Sequence, residues 1–229
     1  MSCLPPNACR LRVRYVKDGR LAYLGHLEVM ETVMRSVRRS GVPFEVSNGF
    51  ARRMRVQFSQ ALPVGASSEC EYYDLLLSDP LDVGDAMDRL RNATPRALAP
   101  SAARILPRRV PALEAWAGLS SWEVNVRAPS VNAKSFDDGL GRCLAAGVLH
   151  YMRGDKPKSV SLGETLVDYD VRDVSGGIDL AMRTRTGERG SLRPAILVKA
   201  VCDCAPLRVR RVGQWHERED GALVDPMDV

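Results

Sequence analysis

Residues 12–41 read RVRYVKDGRLAYLGHLEVMETVMRSVRRSG, and residues 47–65 read SNGFARRMRVQFSQALPVG. The alternation of apolar and basic residues from Leu11 to Val16 predicts a half-buried strand with Arg12 and Arg14 on the other face. Asp18-Gly19 makes a turn, and a short extended segment leads into a helix. Leu27, Met30, Met34 and Val37 step by three, four and three residues and so share one helical face. Gly41 stops that helix and Pro43 prevents it resuming. A second strand is expected over Val42–Val46, then an Asn48-Gly49 turn, a loop carrying Arg52, Arg53 and Arg55, and a strand over Met54–Ala61.

Charge is unevenly distributed along the 229 residues. The net formal charge is +5. Residues 1–60 hold 11 Lys and Arg against 4 Asp and Glu, while the remainder is slightly acidic. A genome rich in G and C accounts for 28 arginines against 5 lysines, but not for their concentration in one quarter of the chain. Such a concentration is a candidate footprint for a polyanion. Lys17, Arg20, Arg35, Arg38, Arg39, Arg52, Arg53 and Arg55 are the residues expected to build it. The arginines of the last helical turns would also complement the carbonyl end of the helix dipole.

Beyond this stretch, Ser68–Leu77 reads as a longer strand and Asp82–Asn92 as a helix with Val83, Ala86, Met87 and Leu90 on one stripe. A strand over Ala97–Leu106 contains Pro100, which suits an edge position. The order is β-α-β-β-α-β, a ferredoxin-like half. After a connector, Ser121–Ala128 alternates, and Ser135–Met152 reads as a helix carrying Phe136, Leu140, Leu144, Val148 and Met152. A hairpin across Ser175-Gly176-Gly177, a short helix with Pro194 in its first turn and a closing strand from Leu207 complete the same order again. The expected architecture is therefore α+β, with two tandem ferredoxin-like halves. Residues 1–10 form a flexible leader, 11–107 the half carrying the basic face, and 120–229 the second half with a C-terminal hairpin.

Several chemistries lack support in the sequence. No apolar run approaches the roughly 20 residues that span a bilayer, and residues 1–14 hold no segment of signal-peptide length. A cytoplasmic protein with no membrane contact is expected. The six cysteines form no CxxC or CxxxCxxC pattern and the three histidines lie far apart, so neither an iron–sulfur cluster nor a zinc site is predicted. No GxxxxGK[ST] phosphate loop occurs, and no cofactor is expected. His26 is the one histidine in the basic quarter, near Tyr15, Lys17 and Tyr23, and is the candidate general acid or base. A structural hydrogen-bonding role is the alternative for it.

The segments YVKDGRLAYLGHLEVM, RSVRRSGVPFEVSNGF and RVQFSQALPVGASSECEYYDLLL resemble the radical SAM-linked domain family of unknown function. That resemblance implies a radical SAM protein as partner. Two departures stand out. Gly25-His26-Leu27-Glu28 replaces Ser-His-Leu-Asp, and Ala51-Arg52-Arg53-Met54 replaces an Asn-Pro-x-Pro run. The leading pattern also resembles the repeat-associated CRISPR RNA-processing proteins, without their glycine-rich C-terminal loop. Three functions follow as expectations. The first is a non-catalytic RNA-binding or substrate-presenting partner of a radical SAM enzyme. The second is an RNA endonuclease or modification factor using His26. The third is a protein-binding adaptor.

Overall fold

The computed structural model describes residues 9–187 and 190–228. Residues 1–8 of the expected leader lie outside the described residues; Arg10, its last member, is buried at the start of a strand. The chain divides into two compact units. One runs to Ala117 and resumes at Gln214; the other is Gly118–Gly213.

The first unit opens with β1 (Arg10–Lys17), a 3₁₀ turn over Gly19–Tyr23 and α1 (His26–Ser40). β2 (Val56–Phe58), β3 (Ser67–Leu76), α2 (Val83–Ala93) and β4 (Pro100–Leu106) follow, then the single-turn α3 (Leu113–Trp116). Strand order is β4-β1-β3, with β2 on the other edge of β3, and each pairing is antiparallel. Pro100 is the first residue of β4, where no ladder donor is lost.

α1 begins after Gly25, whose N–H donates to Glu28 Oε2 at 2.7 Å, and ends at Gly41, whose left-handed φ of 68° favours a residue without Cβ. Its buried face is Val29, Val33 and Val37, packed with Leu11, Val13, Tyr15, Tyr73, Leu75, Ala86 and Leu90. Met30 and Met34 flank that stripe, but Leu27 is 72% exposed, so the expected face is displaced by part of a turn. Two apolar stripes overlap on this helix, and the valines win the core. In α2 the expected stripe holds: Ala86, Met87 and Leu90 are buried, and the Asp82 side chain accepts from Asp85 N–H as N-cap. The strand expected over Val42–Val46 is reduced to one bridge, Val46 with Met54.

The other face of β1 is covered at Arg10 and Arg12. Arg12 lies 1% exposed, its Nε and Nη2 donating to the two Asp74 oxygens at 2.7 and 2.8 Å and its Nη1 to the Pro226 carbonyl at 2.6 Å. Arg10 adds a bond to Asp74 Oδ2 at 2.9 Å. A small apolar cluster of Cys70, Tyr72 and Leu113, with Met227 packed on it, lies in the same unit.

The second unit contains β5 (Leu119–Val126), α4 (Ala133–Ala146), β6 (Val148–Arg153), β7 (Lys156–Ser161), α5 (Leu162–Thr165) and β8 (Leu166–Val174). After these come β9 (Gly177–Gly187), β10 (Gly190–Ser191), α6 (Pro194–Cys202) and the first residues of β11 (Arg208–Glu217). Order is β11-β5-β9, with β8 and β10 also on β9, while β6 and β7 form a separate hairpin. The expected hairpin across residues 175–177 is present, Val174 facing Gly177. The end of β11 pairs with a two-residue strand, β12 (Leu223–Val224), in a C-terminal hairpin whose residues belong to the first unit.

The helix expected over Ser135–Met152 ends six residues early. Gly147, at φ 74°, donates its N–H to the Cys143 and Leu144 carbonyls and closes the helix. Val148 and Met152 then belong to β6, and Met152 is 62% exposed. Within α4, Gly139 allows close approach to α6. An added Cβ would stand 2.7 Å from the Val201 carbonyl oxygen and 2.9 Å from Val201 Cγ1, whereas one at Gly141 would meet nothing within 4 Å. Gly139→Ala should therefore lower the unfolding free energy by about 1–3 kcal/mol through overpacking. Gly141→Ala should raise it by up to about 1 kcal/mol through helix propensity. Urea denaturation of the two variants checks the contrast.

Candidate nucleic-acid interface

The predicted basic residues fall into four groups. Lys17 is not on a surface: it is 2% exposed, and its Nζ donates to the Ala22 and Leu24 carbonyls at 2.9 Å each. It fastens the turn that precedes α1, so its charge is removed from the predicted face. Arg20 is exposed in that same turn. Arg35, Arg38 and Arg39 are exposed on the last turns of α1. Arg39 donates to the Ala93 carbonyl at 3.1 Å, beside a shallow hollow of about 430 Å³ lined by Arg39, Ser40, Arg89, Asn92 and Ala93.

Arg52, Arg53 and Arg55 are also exposed, on the loop after Val46. The Arg55 N–H donates to the Glu45 carbonyl at 2.9 Å, and its guanidinium pairs with Glu45 Oε2 at 3.3 Å. Glu45 is held more firmly by Arg108, whose hydrogen bond lowers the carboxyl pKa below the usual range. Glu45 comes four positions after Gly41, so at most about 14 Å of chain lies between the end of α1 and the strand-like base of this loop. The acidic residues of β3, Glu69, Glu71 and Asp74, carry the next carboxylates along the chain. Asp74 is committed to Arg10 and Arg12, and Glu71 is buried. Arg20, Arg35, Arg38, Arg39, Arg52 and Arg53 form no ion pair among the described residues. By contrast, Arg89, Arg127, Arg172, Arg183 and Lys199 each have one.

His26 is the first residue of α1, half-buried, with its ring edge-on to Phe58 at 6.0 Å between centroids. Burial lowers its pKa below the usual 6.5; Glu114 and Glu71 oppose that shift and Lys17 adds to it. The imidazole is thus neutral near pH 7 and equipped to accept a proton. Among the described residues no group of three or more His, Cys, Asp or Glu is placed to hold a metal, and the described cysteines are free thiols. No helix among them is long and apolar enough to cross a membrane.

The model of one family, described as "Uncharacterized protein conserved in bacteria (DUF2344)", matches residues 10–194. The chain belongs to the DUF2344 family. No curated protein matches the sequence. The DUF2344 match starts at the first residue of β1 and takes in His26 and all eight basic residues predicted to bind a polyanion.

Two features of this DUF2344 chain were not singled out from sequence. Glu71 and Glu114, on β3 and α3, come from distant points of the chain to act electrostatically on His26, and only their charges offered a signal. Phe50 is fully exposed at the tip of the arginine loop, and a phenylalanine between Asn48-Gly49 and Arg52-Arg53 was the available clue. For His26, linkage has a defined sign. A lowered folded pKa favours the native state above the unfolded value, and that advantage is lost as pH falls from about 6.5 through the folded pKa. Urea-derived stability of the wild type should therefore fall more steeply than that of His26→Gln between about pH 7 and pH 5. Parallel curves would contradict it.

Proposed function

We propose that this protein is a non-catalytic RNA-binding module that presents RNA, or a ribosome-associated target, to a radical SAM enzyme in the bacterial cytoplasm. Six exposed arginines without an acidic partner among the described residues, all in one unit, carry this reading. Guanidinium groups that spend no charge on carboxylates are free for phosphate, whose geometry they match in bidentate fashion. The likeness of residues 15–30 to radical SAM-linked proteins supports the partner. The strand orders β4-β1-β3-β2 and β11-β5-β9-β8 support reading each unit as a ferredoxin-like half, a layout compatible with RNA presentation on a sheet or loop surface.

The test is purification at low salt, followed by sequencing of bound nucleic acid. RNA that is removed by nuclease or by high salt, and absent from a variant lacking Arg38, Arg52 and Arg53, is the expected result. Protein that emerges free of nucleic acid yet holds a stable protein partner would place the adaptor reading first.

A second reading rests on His26. Its neutral, half-buried imidazole, edge-on to Phe58 and within the electrostatic influence of Glu71, Glu114 and Lys17, is suited to taking a proton from an RNA 2′-hydroxyl. Cleaved RNA ending in a 2′,3′-cyclic phosphate, formed by wild type and not by His26→Ala, would favour it. Intact RNA after prolonged incubation would leave His26 a structural residue.

A further inference from the structure

The loop that carries Arg52 and Arg53 is closed at its base. Val46 and Met54 bridge antiparallel, and Ser47 N–H donates to the Arg53 carbonyl at 2.8 Å. Arg53 N–H returns a bond to Ser47 Oγ at 3.1 Å, and that hydroxyl donates to the Ala51 carbonyl at 3.2 Å. Five backbone and side-chain groups are thereby committed to holding a seven-residue loop in one shape. Its tip presents Phe50 with the ring fully exposed. A large apolar ring placed in water on a fastened loop is the kind of exposed feature that marks an interaction site.

The neighbours of the ring identify the partner. Arg52 and Arg53 stand exposed without an ion pair among the described residues, so the surface around the ring is positive. An aromatic face beside unspent guanidinium groups is complementary to a nucleotide, whose base offers a π face and whose phosphate offers charge. A lipid surface is a poorer match. Membrane anchoring draws on a continuous apolar face, and here Asn48, Gly49 and Ala51 surround a single ring.

We propose that Phe50 stacks on an unpaired base of single-stranded RNA while Arg52 and Arg53 contact the flanking phosphates. This rests on the RNA-binding reading above and sharpens it, because base faces inside an A-form duplex are covered by their neighbours and only unpaired nucleotides can be stacked on a side chain.

The test is fluorescence anisotropy with a labelled single-stranded oligoadenylate and with an RNA duplex of similar length, on wild type, Phe50→Ala and Phe50→Trp. Phe50→Ala should weaken single-strand binding about 5- to 150-fold. It should leave the salt dependence and the duplex affinity unchanged, and Phe50→Trp should restore single-strand affinity. Equal affinity of wild type and Phe50→Ala for the single strand overturns the stacking proposal and leaves RNA binding standing. A change of salt slope in Phe50→Ala also overturns it, since the ring would then be organising the arginines. Absence of RNA binding by wild type at low salt overturns both readings. Binding to vesicles of mixed phosphatidylcholine and phosphatidylserine that disappears in Phe50→Ala, with RNA binding unaffected, assigns the ring to a membrane instead.

Discussion

Replacing Asp74 by alanine is expected to lower the unfolding free energy by about 3–5 kcal/mol, the loss typical of breaking a buried ion pair from one side. Asp74 sits opposite Arg12 on the β1–β3 ladder and is 1% exposed. It accepts both Nε and Nη2 of Arg12 at 2.7 and 2.8 Å and Nη1 of Arg10 at 2.9 Å. Truncation leaves two guanidinium groups without their counter-charge where water cannot replace it. The third Arg12 bond, to the Pro226 carbonyl, also ties down the C-terminal segment, so its protection from proteolysis should fall together with stability. Removing Asp85, partner of exposed Arg89, should cost only about 0.5 kcal/mol, because both groups remain hydrated. Adding Arg12→Leu to Asp74→Ala should recover part of the loss, since an apolar side chain needs no counter-charge. Urea denaturation followed by circular dichroism decides the matter: a loss below about 1 kcal/mol for Asp74→Ala would mean the arginines find water after all.

The second large effect is on binding. Replacing Arg52 and Arg53 together by alanine should weaken single-stranded RNA binding about 10- to 100-fold at roughly 50 mM salt, because two phosphate contacts and their released counterions are lost. The slope of log K against log salt should become shallower by about 1.4, at about 0.7 for each phosphate. Arg55→Ala should act more weakly, as its guanidinium is shared with Glu45. Lys17→Ala should fail differently, by destabilising the turn whose carbonyls the lysine holds, with a loss of stability larger than any loss of affinity. His26→Gln should keep affinity, since its ring packs edge-on to Phe58 and carries no charge near pH 7.

The sequence was most legible where local pattern and final burial coincide. Ala86, Met87 and Leu90 follow the helical period, and Gly41 stops α1 because its positive φ is a local demand. Lys17 shows how charge misleads. It shares odd-numbered positions with Leu11, Val13 and Tyr15, so strand parity sends it inward despite its charge, and a register shift between Tyr15 and Lys17 delivers its amine to the turn carbonyls. Arg12 obeys parity and points to the other face, but Pro226, 214 residues later, covers it. No local pattern contains that contact. Leu27 lies on a second apolar stripe of α1 that the valines displace from the core. The surroundings of His26 were equally hidden, since Glu71 and Glu114 reach it through strand pairing and a later helical turn.

The most direct test of the account is a salt titration of wild-type protein with a fluorescent single-stranded RNA. With Arg35, Arg38, Arg39, Arg52 and Arg53 engaged, log K should fall linearly with log salt at a slope of roughly −3 to −4. A slope near zero, or no binding at low salt, would contradict it.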